Sequence, residues 1–289
     1  MARCIILLLA TMFLASVLTI TAADWNIMNQ RSITKSGLQI TLKNYCESWR
    51  MNVELNNIRD FSVVPVECTS YIGKYMTGTQ FKADSEATID ECTLYLNTLC
   101  DIKNDGKDAW IFDIDDTLLS TVAYYKKHDY GGEALNVTGL EEWMSKGKGT
   151  AIECSLNLYN YIKRRGMQIF LVSSRREHLR SATIDNLVDA GFFGWKSLYL
   201  RSVEDECKTV QEYKAGVRNE LMKNGYRIWG ILGDQWSSIR GLPTARRTFK
   251  LPNSLYYIKS HPLVKNTLTQ PIIIASLRHT QPLFLCLSY

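Results

Sequence analysis

From residue 108 onward the chain alternates short apolar runs with amphipathic stretches. "AWIFDI" (109–114), "MQIFLVSS" (167–174), "SLYL" (197–200) and "YRIWGILGD" (226–234) have the length and β-prone composition of buried strands. Between them, "SLNLYNYIKRRG", "LRSATIDNLVDAGF" and "KTVQEYKAGVRNELMKNG" repeat their apolar positions at helical spacing. The glycines 166, 191 and 225 stand where a helix C-terminus is expected to turn left-handed. Strand and helix in turn predict an α/β fold, a Rossmann-like parallel sheet covered on both faces, with its ligand site at the carboxyl ends of the strands. Residues 24–107 read differently. Apolar positions at mixed three- and four-residue spacing in "LQITLKNYCESWRMNVELNNI" and "DSEATIDECTLYLNTL" predict a mostly helical lead-in. Residues 121–151, rich in Tyr and Gly, are too long for a simple crossover and read as a small cap insertion. After Ile258 the periodicity dissolves, and residues 259–289 are expected to be a disordered tail.

The ends and the cysteines set the compartment. Arg3, the apolar run "IILLLATMFLASVLTI" and the small residues of "TAAD" read as a signal peptide over 1–23, cut after Ala23; a retained anchor is the rival reading. A secreted or vacuolar protein follows, not held in a membrane once the leader is removed. Without Cys4 there remain seven cysteines and no CxxC or Cys/His metal spacing. Disulfides are therefore expected, with Cys46–Cys68 as the favoured pair and at least one thiol left over. Asn136-Val137-Thr138 is a glycosylation sequon in that setting, or an unmodified surface loop. The net charge of +5 is unevenly placed: seven basic and no acidic residues follow Asp234, leaving 26 basic against 29 acidic residues over 24–234. That slightly acidic body argues against a nucleic-acid binder.

Candidate chemistry lies at the strand ends. "DIDD" sets Asp113, Asp115 and Asp116 close together with no lysine or arginine inside the stretch. If the strand continues through them, Asp113 and Asp115 share a side and Asp116 turns away. Two carboxylates held together need a cation, a shared proton or both, and a hard divalent ion such as Mg²⁺ would serve; a solvated turn is the rival reading. Ser173 then ends one strand, Lys214 sits within a helix, and Gly233-Asp234 ends another strand. Ser173 as a plain strand-end cap and Lys214 as an exposed helix lysine are the bland alternatives. Arg175 is placed to meet either a phosphate or a neighbour. Tyr124, Tyr125, Tyr130 and Trp143 are expected to form the insertion's own core, and none of the four histidines is assigned to catalysis.

"FDIDDTLLS", "IFLVSSRRE", "DNLVDAGF", "YKAGVRNEL", "GYRIWGILGDQWSS" and "FKLPNSLYYI", with the upstream "YCESWRMNVELNNI", "VPVEC" and "YIGKYMTGTQF", resemble the plant class B-type acid phosphatases and vegetative storage proteins of the haloacid dehalogenase superfamily. The resemblance spans roughly 38–258 and implies a haloacid dehalogenase-like core over 108–258. It also implies roles: Asp113 as nucleophile forming an aspartyl-phosphate, Asp115 as general acid and then base, and Ser173 and Lys214 holding the phosphoryl group. Mg²⁺ would be held by Asp113, Asp234 and the backbone carbonyl of Asp115. The substrate implied is a small phosphomonoester, and a homo- or heterodimer is left open. An acid-range optimum follows if Asp115 must be protonated while Asp113 is ionised.

Two positions depart from the family pattern. Ser238 stands where a second carboxylate is expected after Gly-Asp-Gln-Trp-Ser, and Ser174 replaces a glycine. Losing that carboxylate is expected to weaken Mg²⁺ binding without removing the nucleophile, by the roughly 10- to 100-fold typical of groups that support metal ligands. The resemblance therefore implies an acid phosphatase, with a storage glycoprotein of the same fold as the alternative. Intact Asp113 favours the enzyme.

Overall fold

The computed structural model describes residues 40–103 and 105–258. The expected leader, the lead-in up to residue 39 and the tail 259–289 lie outside the described residues, together with Cys4, Cys286, His261 and His279. The chain divides into two units, 1–45 and 46–289, and the architecture below is that of the second. Helix α1 (Leu42–Glu54), whose residues from Cys46 belong to this unit, is followed by α2 (Thr69–Met76) and α3 (Thr79–Thr98). The chain then enters β1 (Asp108–Phe112), leaves the sheet through a short hairpin, β2 (Leu119–Ser120) and β3 (Thr150–Ala151), and carries α4 (Val122–Tyr125) and α5 (Val137–Ser145) between the hairpin strands. Alternation resumes with α6 (Glu153–Arg164), β4 (Gln168–Arg176), α7 (Arg180–Asp189), β5 (Ser197–Arg201), α8 (Val210–Lys223), β6 (Arg227–Gly233), α9 (Trp236–Ile239) and β7 (Arg247–Lys250).

The sheet order is β5-β4-β1-β6-β7, every pairing parallel. Strand β1 lies at its centre, so its carboxyl end opens between those of β4 and β6. The period-two alternation of β1 sends Trp110 and Phe112 into a core shared with Leu96 of α3 and Leu158, Tyr159 and Ile162 of α6. Ala109 and Ile111 go to the other face, against Val217 and Leu221 of α8. Gly230 of β6 makes room for this: a β-carbon there would lie 2.2 Å from the Trp110 ring. Helices α6, α7 and α8 each end ahead of a left-handed glycine, Gly166 (φ 76°), Gly191 (φ 91°) and Gly225 (φ 82°), as their sequences predict. The edge strand β7 was not anticipated. Its "RTFK" carries two charges and alternates for only one buried residue, the composition an edge strand tolerates.

Cys46 and Cys68 form a disulfide, with Cα atoms 5.3 Å apart and a sequence separation of 22. Cys92, Cys100, Cys154 and Cys207 are unpaired. The link restricts the unfolded chain, and for a loop of this size the stabilisation is about 3 kcal/mol. Replacing both cysteines by alanine is expected to lower the unfolding free energy by that amount, read from the midpoint of a urea titration. A change under about 1 kcal/mol would show that the helical lead-in holds its place without the link.

Candidate active site

The ladder of β1 stops at Phe112, yet Asp113 N still donates to Leu232 O (3.0 Å), so the first residue past the strand keeps the strand's direction. Asp113 therefore continues the Ala109–Ile111 side and faces α8. That helix begins at a reciprocal cap: Thr209 Oγ1 accepts from Glu212 N (3.1 Å), and Glu212 Oε2 accepts from Thr209 N (2.8 Å). One turn later Lys214, buried, donates from Nζ to Asp113 Oδ2 (2.6 Å). The same oxygen accepts from Ser238 Oγ (2.5 Å), and Ser238 Oγ in turn accepts from Lys214 Nζ (3.0 Å). Asp113 Oδ1 accepts from Ile114 N (2.8 Å). With 5% of its surface exposed, Asp113 has its charge answered by one ammonium and two further donors. Gly233, at the end of β6, admits this arrangement: a β-carbon there would meet Ser238 Cβ at 2.8 Å.

Asp115 is held differently. Arg175 reaches it from β4 with Nε 3.2 and 3.1 Å from the two carboxylate oxygens and Nη2 2.7 Å from Oδ1, and donates Nη1 to Thr183 Oγ1 (3.1 Å). The pairing raises the guanidinium's pKa in spite of burial, which works the other way. Two cations supplied from later in the chain, Lys214 and Arg175, thus separate the charges that the "DIDD" stretch brings together. Strand alternation therefore assigns the face of Asp113 as expected but not that of Asp115, which lies beyond the ladder. Asp116 is bonded to neither cation. It adopts a left-handed conformation (φ 47°), and its buried carboxylate accepts from Thr121 N (2.9 Å), Thr121 Oγ1 and Tyr256 Oη (3.0 Å). Burial pushes Asp116 up to about 6 against these bonds. It shapes the loop.

Asp234 follows β6 and is buried beside this group. Its Oδ2 accepts from Asn253 Nδ2 (2.7 Å), Tyr256 Oη (3.2 Å) and Gln235 Nε2 (3.2 Å), and its Oδ1 from Thr117 Oγ1 (3.4 Å). Burial first, and then the negative charges of Asp113 and Asp116, push Asp234 up to about 7. Asn253 is itself placed from far upstream: Glu54, at the end of α1, accepts from Asn253 N (2.9 Å), Ser254 Oγ (3.0 Å) and Lys250 Nζ (2.6 Å).

Carboxylates 113, 115 and 234, with Lys214 beside the first, at the carboxyl rim of a parallel sheet are the arrangement that the phosphoryl-transfer reading requires. Residues 30–259 match the family described as HAD superfamily, subfamily IIIB (Acid phosphatase). The chain belongs to this family. Among its relatives, "Acid phosphatase 1" of Solanum lycopersicum is 41% identical over 213 residues, 74% of this chain and 83% of that protein. "Vegetative storage protein 1" of Arabidopsis thaliana is 39% identical over 230 residues, 79% and 84% of the two chains. The class C acid phosphatase of Bacillus anthracis with tungstate bound shares the fold, with a TM-score of 0.57, 18% identity and coverage of 66% of this chain and 86% of that one.

HAD acid phosphatases generally use a divalent metal. Among the described residues no three His, Cys, Asp or Glu side chains form a metal cage. Mg²⁺ does not need one, since it binds through one or two carboxylates and completes its shell with water and phosphate oxygens. Asp113 and Asp234 are hard oxygen donors, and their mutual repulsion is what a divalent charge would relieve. The residues fit such an ion.

The remaining candidates in this acid phosphatase are placed as follows. Ser173 is buried, its Oγ accepting from Arg175 N (3.1 Å). Tyr124 packs on Tyr125 (5.3 Å between ring centroids), Trp143 (6.1 Å) and His128 (4.3 Å) as the insertion's core, whereas Tyr130, expected in that core, lies with its ring against Gly73 of α2. Tyr125 also stacks on Tyr256 (5.2 Å), which roofs Asp116 and Asp234. His128 pairs with Glu133 (2.8 Å) and His178 with Glu141 (3.6 Å), outside the carboxylate group. Asn136 is exposed and caps α5, its Oδ1 accepting from Gly139 N (3.0 Å). Sequence reasoning read Ser238 only as the loss of a carboxylate that supports the metal, whereas its hydroxyl touches Asp113 directly. Asn253, Tyr256 and Glu54 carried no chemical signal in the sequence, because nothing in their spacing marks them as neighbours of Asp234.

Proposed function

We propose that the chain is a Mg²⁺-dependent acid phosphatase that hydrolyses small phosphomonoesters through an aspartyl-phosphate on Asp113. The observation that carries this reading is the buried contact of Asp113 with Lys214 and Ser238 at the central strand's carboxyl end. An Asp113 oxygen attacks phosphorus as the ester oxygen departs, so one P–O bond forms as another breaks. Asp115 gives the departing oxygen its proton, then takes one from the water that releases phosphate. Lys214 and Ser173 hold the phosphoryl oxygens, Lys214 exchanging part of its contact with Asp113 for them. Asp113, Asp234 and the Asp115 carbonyl would hold a Mg²⁺ ion, which would supply charge stabilisation for the phosphoryl oxygens.

Phosphate release from an aryl phosphate at mildly acidic pH, with and without added Mg²⁺, tests the reading; background rates in both would reject it. Ser238→Asp is expected to lower the Mg²⁺ concentration giving half-maximal rate by roughly 10-fold or more, because it restores a carboxylate beside Asp113. An unchanged requirement would show that Ser238 has no part in metal affinity.

A second reading, a storage glycoprotein with little turnover, is favoured by one observation: both oxygens of Asp115 are taken by Arg175, so a leaving group must displace a guanidinium contact to reach it. The Cys46–Cys68 disulfide and the exposed Asn136 support a secreted or vacuolar location with a glycan on Asn136.

A further inference from the structure

On α8, one turn past Lys214, Arg218 is 1% exposed and has no carboxylate among its hydrogen-bond partners. Its guanidinium donates Nε to Pro243 O (2.7 Å), Nη1 to Ser238 O (3.2 Å) and Nη2 to Arg240 O (2.6 Å) and Gly241 O (3.0 Å). All four acceptors belong to one turn, 238–243. Burial pulls the guanidinium down to about 10. Packing would be better served by an apolar side chain of similar length, which has no charge to desolvate. The fork geometry of a guanidinium, however, suits a set of carbonyls that no apolar chain can hold.

Within the segment Ile239 is buried in the core with Val217, Leu221 and Ile231, while Leu242 at the tip is 86% exposed and Arg240 is exposed, so beyond Ile239 the backbone of the turn is held chiefly by its bonds to Arg218. Yet the turn begins at Ser238, whose hydroxyl sits between the Asp113 carboxylate and the Lys214 ammonium. Ser238, Arg218, Lys214 and Asp113 also line one small cavity beneath the rim, with Ile111, Val172 and Ile231.

We propose that Arg218 is a positioning residue for phosphoryl transfer: it clamps the 238–243 turn from beneath and so keeps the Ser238 hydroxyl on the nucleophile Asp113. The inference rests on the reading of Asp113 given above. In-line attack needs the carboxylate oriented as well as charged, and misplacement by about 1 Å costs on the order of 100-fold in rate. Losing the clamp therefore acts on kcat and leaves substrate capture by Lys214 largely intact.

The experiment is a double-mutant cycle on the full chain with saturating Mg²⁺ and an aryl phosphate. Arg218→Met is expected to lower kcat roughly 10- to 100-fold with KM within about twofold. Arg218→Lys is expected to recover only part, since one ammonium does not span four carbonyls. Ser238→Ala is expected to lower kcat as well, and the Arg218→Met/Ser238→Ala pair to be no slower than the slower single variant. Should Arg218→Met fail to fold, Arg218→Lys carries the same cycle. Effects that multiply independently, or a kcat unchanged below the melting temperature, overturn the clamp and leave a purely structural arginine. A wild type that releases no phosphate, or an Asp113→Asn variant as fast as wild type, overturns instead the reading beneath it, and the inference with it.

Discussion

Asp113→Asn is expected to reduce phosphate release by on the order of 10⁴-fold or more. An amide oxygen is a poor nucleophile, and no acyl phosphate forms on it, so the step that divides hydrolysis into two is lost. The substitution nearly preserves volume in a site where Asp113 is 5% exposed, and the one remaining oxygen keeps an acceptor for Ile114 N while the amide nitrogen takes the place of the oxygen that faces Ser238 Oγ and Lys214 Nζ. What it removes is the charge opposite Lys214 Nζ, 2.6 Å away. A buried ammonium left without its carboxylate costs stability, so the unfolding midpoint must be measured beside the rate. The decisive control is covalent: wild-type protein quenched in acid during turnover should carry one phosphate on Asp113, and the variant none. A variant that turns over within tenfold of wild type would place the nucleophile elsewhere.

The second large effect is on stability. Arg175→Met is expected to cost about 3–5 kcal/mol of unfolding free energy at neutral pH, because it leaves the Asp115 carboxylate at the rim without the guanidinium that engages both its oxygens. Most of that cost is the penalty of a stranded charge, not the worth of the pair. Adding Asp115→Asn to Arg175→Met should therefore recover a large part of it, a coupling that only contacting residues show. Urea unfolding of the two single variants and the double variant measures this. If Arg175→Met costs less than about 1 kcal/mol, water reaches the pair as it does an exposed one, and the account of how the three aspartates coexist is wrong.

Much of the architecture was written in local pattern. Apolar runs and helical periodicity located β1, β4, β5 and β6 and the helices between them, because burial of one or both faces dictates the spacing of apolar residues wherever the element lies. The glycines at 166, 191 and 225 marked helix ends because a left-handed residue is a local requirement. Asp113 and Asp234 were legible as candidates because strand ends in a parallel sheet converge on one rim, whereas Lys214, within a helix, was singled out only by its order in the family resemblance. Which charges meet there was not legible. Lys214 lies 101 residues from Asp113, Ser238 lies 125 from it, and Arg175 lies 60 from Asp115. Alternation assigns a face only while the strand lasts, and β1 ends at Phe112, one residue before the chemistry begins. Beyond that point the direction of Asp115 and Asp116, the clamp of Arg218 on the turn that bears Ser238, and the support of Asp234 by Asn253 and Glu54 depend on how crossovers lay distant segments against one another. Buried charges take whichever partners the packed sheet brings within hydrogen-bond reach, and sequence spacing does not encode that distance.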